Sequence, residues 1–348
     1  MSLRIVCLES HYYEAGWAKA AAPTILGMAP YIVDLGSQLE DDPGAWGDHR
    51  SHLEGTRQAV ELAYEPIPRR IERMDADGID VQVLSIAQPI QAMPVGEAVA
   101  LSRKVNDRLA EIARIYPSRF GGFFALPWQD AEAAAREAER AVTELGLTAT
   151  ALFGRAGDDA MLDHPRFRPI LAQLEALQVP IYLHPGPPLR EVQQPYYAGF
   201  SKDVTARFSL GGYGWHNEAG IQVIRLILSG ALDRHPRLRI VSGHWGEMVP
   251  FYLNRLDDAI PMEVTGLTRS IGQTYRDQIY VTPSGMYYTP NFLFCKAVLG
   301  VSRMMFAMDY PYVTMTGARA WVEGLPLSEE ERTAFAHGNA ERLLRLPS

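Results

Sequence analysis

Residues 4–11 of the chain read RIVCLESH. An apolar run that ends at Leu8 is followed by Glu9 and, two positions later, by His11. Side chains two residues apart in a strand point to the same face, so we expect this carboxylate and this imidazole to lie side by side. A polar pair at a strand end is either satisfied by hydrogen bonds or forms half of a metal site. The rest of the chain has to distinguish these alternatives.

Eight short β-rich runs recur along the chain, and most of them are continuously apolar rather than alternating. This pattern is typical of parallel strands that are buried on both faces. Amphipathic helical patterns separate most of the runs; that of residues 130–146 begins with Asp130 as N-cap and ends at a glycine. The runs are RIVCLE (4–9), VQVLSI (81–86), FGGFFAL (120–126), TATALF (148–153), PIYLH (180–184), RIVSGH (239–244), QIYVTPS (278–284) and MMFAMD (304–309).

Strands that alternate with helices form βαβ units with a parallel sheet. Eight strands in 348 residues favour a closed (β/α)8 TIM barrel over an open, doubly wound sheet. No G-x-G-x-x-G motif follows the first strand, which argues against a dinucleotide-binding fold. We therefore predict a single domain over residues 1–348.

Two long segments interrupt the repeat, at about residues 12–66 after the first strand and 185–216 after the fifth. Both would emerge at the C-terminal face of the barrel, and segments of this length are uncommon without a function. We interpret them as walls and lid of an active site, with disordered insertions as the alternative. Aromatic residues of these segments are equally expected to stack on a flat substrate or to pack in the core: Trp17, Tyr196, Tyr197 and Trp215.

The amino-acid composition limits the kinds of molecule that this protein is expected to bind. The net charge is −8, which argues against nucleic acid because its partners usually carry a basic patch. Two cysteines, Cys7 and Cys295, do not form a disulfide framework and suggest the cytoplasm. No signal-peptide pattern and no apolar run of about 18 residues is evident, so we expect no membrane segment. Small molecules and copies of the chain remain as partners.

Polar residues end four of the predicted strands. Glu9 and His11 end the first, and the others are His184 on the fifth, His244 with the nearby Glu247 on the sixth, and Asp309 on the eighth. Each has an ordinary explanation: a hydrogen-bonded histidine, an aspartate that shapes a turn at Asp309, or a first-turn helix charge at Glu247. In a barrel, however, these ends converge on one mouth, where imidazoles and carboxylates form a suitable set for a divalent metal ion. Of the other histidines, His52 and His216 lie in the long segments and are possible pocket residues.

Several motifs resemble those of the amidohydrolase superfamily, in the branch that contains aminocarboxymuconate semialdehyde decarboxylase and the γ-resorcylate, 2,3-dihydroxybenzoate and 5-carboxyvanillate decarboxylases. LESH (8–11) is similar to the Glu-x-His form of the first-strand motif. The other matching motifs are RKVNDRLAEIARIYPSRFGGFFALPWQD (103–130), IYLHP (181–185), LILSGALDRHPRLRIVSGHWGEMVPFYLNRLD (226–257), FAMDYPY (306–312) and GNAERLLRL (338–346).

The resemblance implies a role for each matching residue. It implies Glu9, His11, His184 and Asp309 as metal ligands, with Asp309 also catalytic. It further implies His244 as a catalytic imidazole oriented by Glu247, and Arg255 as a contact to a substrate carboxylate across the interface of a homodimer or homotetramer. A surface helix charge is the equal alternative for Arg255. Trp215 and His216 are predicted as further substrate contacts. The chain departs from the family where it reads HPGPP (184–188) rather than H-P-R-N-P and where Met308 replaces a small hydroxyl residue.

The resemblance also implies an activity: metal-dependent, non-oxidative decarboxylation of a hydroxybenzoate-like acid. The metal, Zn2+ or Mn2+, would chelate the carboxylate and the ortho oxygen, and Asp309 would protonate the ring carbon. One alternative is hydrolysis of a lactone or amide by metal-bound hydroxide, and another is a metal-binding scaffold without turnover. Glu9 favours the decarboxylase, since hydrolases of the superfamily more often resemble His-x-His at this position.

Overall fold

Eight parallel strands form the centre of the molecule. We describe a computed structural model that covers residues 3–35, 56–86, 89–156 and 160–346. Every predicted strand is present, and its ends differ from those of the apolar run by at most three residues. The strands are β1 Val6–His11, β2 Val81–Ser85, β3 Phe120–Phe124, β4 Ala149–Phe153, β5 Ile181–His184, β6 Ile240–Ser242, β7 Ile279–Val281 and β8 Ala307–Tyr310.

The sheet closes on itself. Neighbouring strands pair in the order β7-β6-β5-β4-β3-β2-β1-β8. The two ends of this order meet through a parallel bridge between Val281 and Met304, where the Met305 amide donates to the Val281 carbonyl at 3.0 Å. The predicted (β/α)8 barrel is therefore confirmed, and the open doubly wound alternative is excluded.

Helices surround the barrel because each carries an apolar stripe. In Val95–Ile115 the stripe includes Leu101, Val105 and Leu109, all buried. Asp130 caps the next helix as predicted, accepting the Ala133 amide at 2.9 Å, although that helix ends three residues before the glycine at position 146. The outer helices include Ile67–Asp77, Val95–Ile115, Ala131–Thr143, Arg168–Ala176, Gly214–Leu228, Ala231–Arg234, Val249–Ala259, Met262–Thr265, Ile271–Gln278, Thr289–Leu299, Ala318–Gly324, Glu329–Thr333 and Asn339–Leu344.

The described parts of both long segments contain helices. Those after β1 are Ala15–Met28 and Thr56–Ala63, and those after β5 are Arg190–Tyr197 and Lys202–Ser209. The segments contact each other: the Gln193 side chain donates to the Met28 carbonyl at 2.8 Å. Residues 36–55, which include His49 and the possible pocket residue His52, lie outside the described residues.

Buried apolar residues lie in two layers. One lies inside the barrel and includes Val6, Leu8, Phe123 and Tyr182, and the larger one lies between strands and helices. Trp17 is fully buried in that outer layer, which assigns it to the core rather than to a substrate pocket. None of the helices among the described residues has the length and apolar character that crossing a membrane requires.

Candidate metal centre and active site

Four side chains meet at the C-terminal mouth of the barrel. Glu9 and His11 come from β1, His184 from β5 and Asp309 from β8, and one potential ligand atom of each lies within 4.8 Å of all the others. Three of these residues are buried and Asp309 is half-buried. The structure thus brings together the four residues for which the sequence predicts metal ligation.

A backbone irregularity turns Glu9 into the barrel. Leu8 already points inward, so a regular strand would direct the next side chain outward. The pairing of β1 with both neighbours shifts between residues 7 and 10, and Glu9 has a φ of 56°. This bulge places Leu8 and Glu9 on the same side of the sheet. Strict strand alternation therefore correctly places Glu9 and His11 on the same face of the sheet. It would wrongly place Glu9 on the opposite face from Leu8.

His11 and His184 both direct Nε2 toward the carboxylates of the cluster. Nδ1 of His184 lies 2.7 Å from the carbonyl of Pro185, which can only accept, so Nδ1 carries the proton. Nδ1 of His11 lies 3.2 Å from the Ser85 hydroxyl. Such bonds at the outer nitrogen commonly fix the orientation of metal-binding imidazoles. In both residues Nε2 is left facing the carboxylates.

The hydrogen bonding of the Glu9 carboxylate shows whether the site is suited to a cation. Its Oε2 accepts the Tyr182 hydroxyl at 2.5 Å. Its Oε1 is buried, has no hydrogen-bond partner among the described residues, and lies 3.3 Å from Nε2 of His184. A buried carboxylate oxygen without a partner is costly. A divalent cation among these two imidazoles and two carboxylates would satisfy it, so the donor set fits a metal ion.

Burial and neighbouring charges shift the pKa values of the side chains in this mouth in different directions. Burial and the neighbouring Asp309 raise the pKa of Glu9. Burial also acts to raise the pKa of Asp309, but the hydrogen bond to His11 and the nearby His244 imidazole outweigh it and the pKa is lowered. Burial together with nearby His11 holds the pKa of His184 well below its ordinary value. His184 is therefore neutral at pH 7, the state that a metal ligand requires.

A second cluster lies beside the first, in the turn that follows β6. Nδ1 of His244 and Nδ1 of His216 each lie 2.8 Å from a different oxygen of Glu247. Nε2 of His244 lies 3.9 Å from Oδ2 of Asp309. The resemblance implied the contact between His244 and Glu247. His216 binds the other oxygen of the same carboxylate.

This turn has an unusual backbone. Residues 244–248 all have a positive φ, between 44° and 79°, and four of them are not glycine. The left-handed conformation costs roughly 1–2 kcal/mol per non-glycine residue. Strain of this kind persists only where surrounding contacts determine the conformation, and it concentrates at functional sites. Here it brings His244 and Glu247 together, whereas the sequence suggested first-turn helix charge as the ordinary explanation for Glu247.

The charges within the second cluster reinforce each other. Burial would lower the pKa of His244, but the carboxylates of Glu247 and Asp309 raise it well above its ordinary value. Burial would raise the pKa of Glu247, but His244 and His216 lower it. His244 is therefore an imidazolium at neutral pH, facing Asp309.

Aromatic rings surround the mouth. Phe153 lies 4.4 Å from the His184 ring, and Trp215 lies 6.3 Å from it, between ring centroids. On the other side the Tyr312 ring lies 5.5 Å from His11, and its hydroxyl bonds to that of Tyr13 at 3.1 Å. These rings lie next to the imidazoles of the cluster and provide aromatic faces on which a flat molecule can stack.

Arg255 lies apart from both clusters. It is exposed on the helix Val249–Ala259, near Phe251 and Tyr252, whose side chains are 72% and 52% exposed. Among the described residues, no hydrogen bond or ion pair joins Arg255 to a side chain of either cluster. The interpretation of Arg255 as a contact across an interface therefore remains a prediction.

Three groups at the site were not singled out from the sequence: Tyr182, Ser85 and the pair Tyr13–Tyr312. Tyr182 lies two residues before His184 on β5, so the strand period places both on the inner face and could have identified it. Ser85 ends β2, which neighbours β1. No sequence signal pairs Tyr13 with Tyr312, because the two phenols come from opposite ends of the chain.

Comparison with known proteins defines the family. The amidohydrolase family profile matches residues 49–346, and the chain belongs to this family. It is 36% identical to the γ-resorcylate decarboxylase of Rhodococcus jostii over 80% of this chain and 87% of that protein. It is 33% identical to the γ-resorcylate decarboxylase of a Polaromonas species over 98% of both chains.

A solved structure shows the same architecture. The 5-carboxyvanillate decarboxylase of Novosphingobium aromaticivorans, in complex with manganese and 4-hydroxy-3-methoxy-5-nitrobenzoic acid, superimposes with a TM-score of 0.86. The match covers 99% of this chain and 97% of that one, at 28% identity. The first-strand residues Glu9 and His11, which precede the family profile match, fall within this nearly complete overlap.

Proposed function

We propose that this protein is a metal-dependent, non-oxidative decarboxylase of an aromatic carboxylic acid that carries an oxygen substituent ortho to the carboxyl group. The observation that carries the proposal is the group Glu9, His11, His184 and Asp309 at the mouth of the barrel. It is supported by aromatic walls on both sides and by relatives that are named as decarboxylases of such acids.

Glu9, His11, His184 and Asp309 would hold one divalent ion, and we favour Mn2+ over Zn2+ because the 5-carboxyvanillate decarboxylase structure contains manganese. When bound, the ion supplies a charge that gathers the substrate's carboxylate and ortho oxygen into one chelate. Tyr182 would keep the Glu9 carboxylate in position through its hydroxyl bond. The ring of the substrate would then lie between Phe153 and Tyr312, with Trp215 as a further wall.

The chemical step moves one proton. Asp309 delivers it to the ring carbon that bears the carboxyl group, the bond to that carboxyl breaks, and its electron pair restores the aromatic ring as CO2 leaves. Asp309 has a lowered pKa and must itself be supplied with this proton. The protonated His244, 3.9 Å away, is placed to supply it, and Glu247 keeps it charged.

His216 and Trp215 take different parts in this proposal. Trp215 contacts the substrate ring. His216 acts through Glu247, to which its Nδ1 is bonded at 2.8 Å. We propose this role in place of the direct substrate contact predicted from the sequence, because both ring nitrogens of His216 have partners: Nδ1 bonds to Glu247, and Nε2 lies 3.0 Å from the carbonyl of Gly211.

We also propose a homodimer or homotetramer in the cytoplasm, built from one domain per chain. Exposed aromatic side chains around Arg255 support an interface: Phe251 and Phe294 lie 5.8 Å apart and are 72% and 39% exposed. Contiguous exposed apolar patches commonly mark contacts between proteins. Sedimentation equilibrium is expected to give a multiple of the 38.7 kDa chain mass, and Phe251→Glu to shift it toward the monomer.

CO2 release from a panel of acids tests the activity. Mn2+-loaded protein is expected to release CO2 from ortho-hydroxybenzoates such as 2,6-dihydroxybenzoate. It is expected to leave 4-hydroxybenzoate intact, because that isomer lacks the ortho oxygen for chelation. Opening of lactones or amides without CO2 release would instead support the hydrolase. Tight Mn2+ binding with neither reaction would support a metal-binding scaffold.

A further inference from the structure

A buried guanidinium lies directly behind the metal centre. Arg70, on the helix Ile67–Asp77, is 0% exposed. Its Nη2 donates to the carbonyl of His11 at 2.5 Å. Its Nε and Nη1 are buried without a hydrogen-bond partner among the described residues. A charge held in this way is expensive, so its retention points to a role beyond stability.

Arg70 contacts the second ligand strand as well. The carbon of its guanidinium lies 4.8 Å from the ring of Tyr310, the residue after Asp309. The Tyr310 hydroxyl donates at 2.5 Å to Oε1 of Glu65, and the same oxygen lies 3.7 Å from Nε of Arg70. The planar guanidinium thus bonds to β1 through its edge and stacks on β8 through its face, a combination that lysine cannot reproduce.

The pairing of β1 with β8 is irregular next to the metal centre, so contacts other than the strand ladder must fix the positions of the ligands there. Pairing of β1 with β8 is irregular between residues 8 and 10, and both Glu9 and Asp309 have left-handed backbone conformations. Nε2 of His11 nevertheless lies 3.0 Å from Oδ1 of Asp309. Metal sites tolerate only about 0.2 Å of error in ligand distances. The regular ladder that would normally set the spacing of neighbouring strands is missing at this point.

We infer that Arg70 is a positioning residue of the metal centre: by joining the His11 carbonyl to the Tyr310 ring, it sets the distance between the ligands His11 and Asp309. The inference rests on the proposed metal site and concerns a residue that touches neither metal nor substrate. Its prediction is a loss of metal affinity beyond any loss of stability.

The test compares Mn2+ affinity in Arg70 variants with a matched control. Arg70→Lys and Arg70→Met are titrated with Mn2+, following free Mn2+ by electron paramagnetic resonance. Arg119→Met serves as control, because Arg119, like Arg70, donates to backbone carbonyls, in its case those of Ile79 and Asp80 at the opposite end of the barrel. Melting temperatures of each variant, with and without Mn2+, report stability separately.

We expect both Arg70 variants to weaken Mn2+ binding by about tenfold to a hundredfold, the usual effect of losing support for a metal ligand. Saturating Mn2+ should then recover much of the activity. Arg119→Met should lower the melting temperature and leave the Kd unchanged. If the Arg70 variants do not fold, Tyr310→Phe takes their place; it keeps the ring and removes the bond to Glu65, and we expect a Kd raised about threefold or more.

Wild-type Kd values in the folded variants, with lowered melting temperatures alone, would overturn the inference. A wild-type protein that binds no Mn2+ would instead overturn the proposed function. The two failures are therefore distinguishable.

Discussion

Replacing Asp309 with asparagine separates its two proposed roles. Oδ1 of Asp309 lies 3.0 Å from Nε2 of His11 and Oδ2 lies 3.9 Å from Nε2 of His244. Asparagine keeps the shape and one acceptor oxygen, but it loses the negative charge and cannot carry the proton. Loss of a positioned general acid costs about a hundredfold to ten-thousandfold in rate, which corresponds to about 2.7–5.5 kcal/mol of transition-state stabilisation.

The assay measures kcat for CO2 release at saturating Mn2+, so that weaker metal binding does not contribute to the loss. Asp233→Asn is the matched control, since Asp233 also accepts hydrogen bonds, from the Thr268 amide at 2.8 Å and Arg269 at 3.2 Å, away from the mouth. We expect the control to keep the wild-type kcat. A kcat for Asp309→Asn within tenfold of wild type, with metal bound, would refute the role of Asp309 as the proton donor.

Three further predictions concern metal, pH and backbone. Removing Mn2+ that is present at 100 times its Kd should cost about 2.7 kcal/mol, or about 4 °C in melting temperature at about 2.1 cal/mol/K for each residue; an unchanged Tm would argue against the site. Glu247→Gln removes the main charge that raises the pKa of His244, so the protonated imidazole is lost at lower pH. The alkaline limb of the kcat profile should move toward lower pH, and a stationary limb would contradict this assignment. Gly186→Ala places Cβ 2.4 Å from the Gly154 Cα, and calorimetry should show about 1–3 kcal/mol of destabilisation. Gly96→Ala, with nothing within 4 Å, should show no loss.

Much of the fold could be predicted because its determinants are local. Continuous apolar runs identify each strand, and the helical patterns between them require parallel connections. The convergence of Glu9, His11, His184 and Asp309 follows from the barrel, since the carboxyl ends of all strands meet at one mouth. The glycine of the HPGPP departure also has a simple structural basis, because Gly186 packs against the backbone of Gly154 with no room for a side chain.

The remaining features depend on contacts that are distant in sequence. The bulge at Glu9 and the left-handed turn at residues 244–248 put non-glycine residues at positive φ, which no local preference predicts. Arg70 is an ordinary charge in an amphipathic helical pattern, and only the folded structure shows it buried behind His11. The left-handed turn also explains why the sequence relation between His244 and Glu247 could not be assigned to a regular helix.

Isotope labelling distinguishes decarboxylation with protonation of the ring carbon from hydrolysis at the same metal centre. Mn2+-loaded protein is incubated in D2O with ortho-hydroxybenzoates that carry ¹³C in the carboxyl group, beginning with 2,6-dihydroxybenzoate. We expect equal amounts of labelled CO2 and of a phenol with one deuterium at the carbon that bore the carboxyl group, and no reaction after chelation of the metal. Absence of labelled CO2 from every member of the panel, together with metal-dependent opening of a lactone or amide, would contradict the proposed decarboxylation.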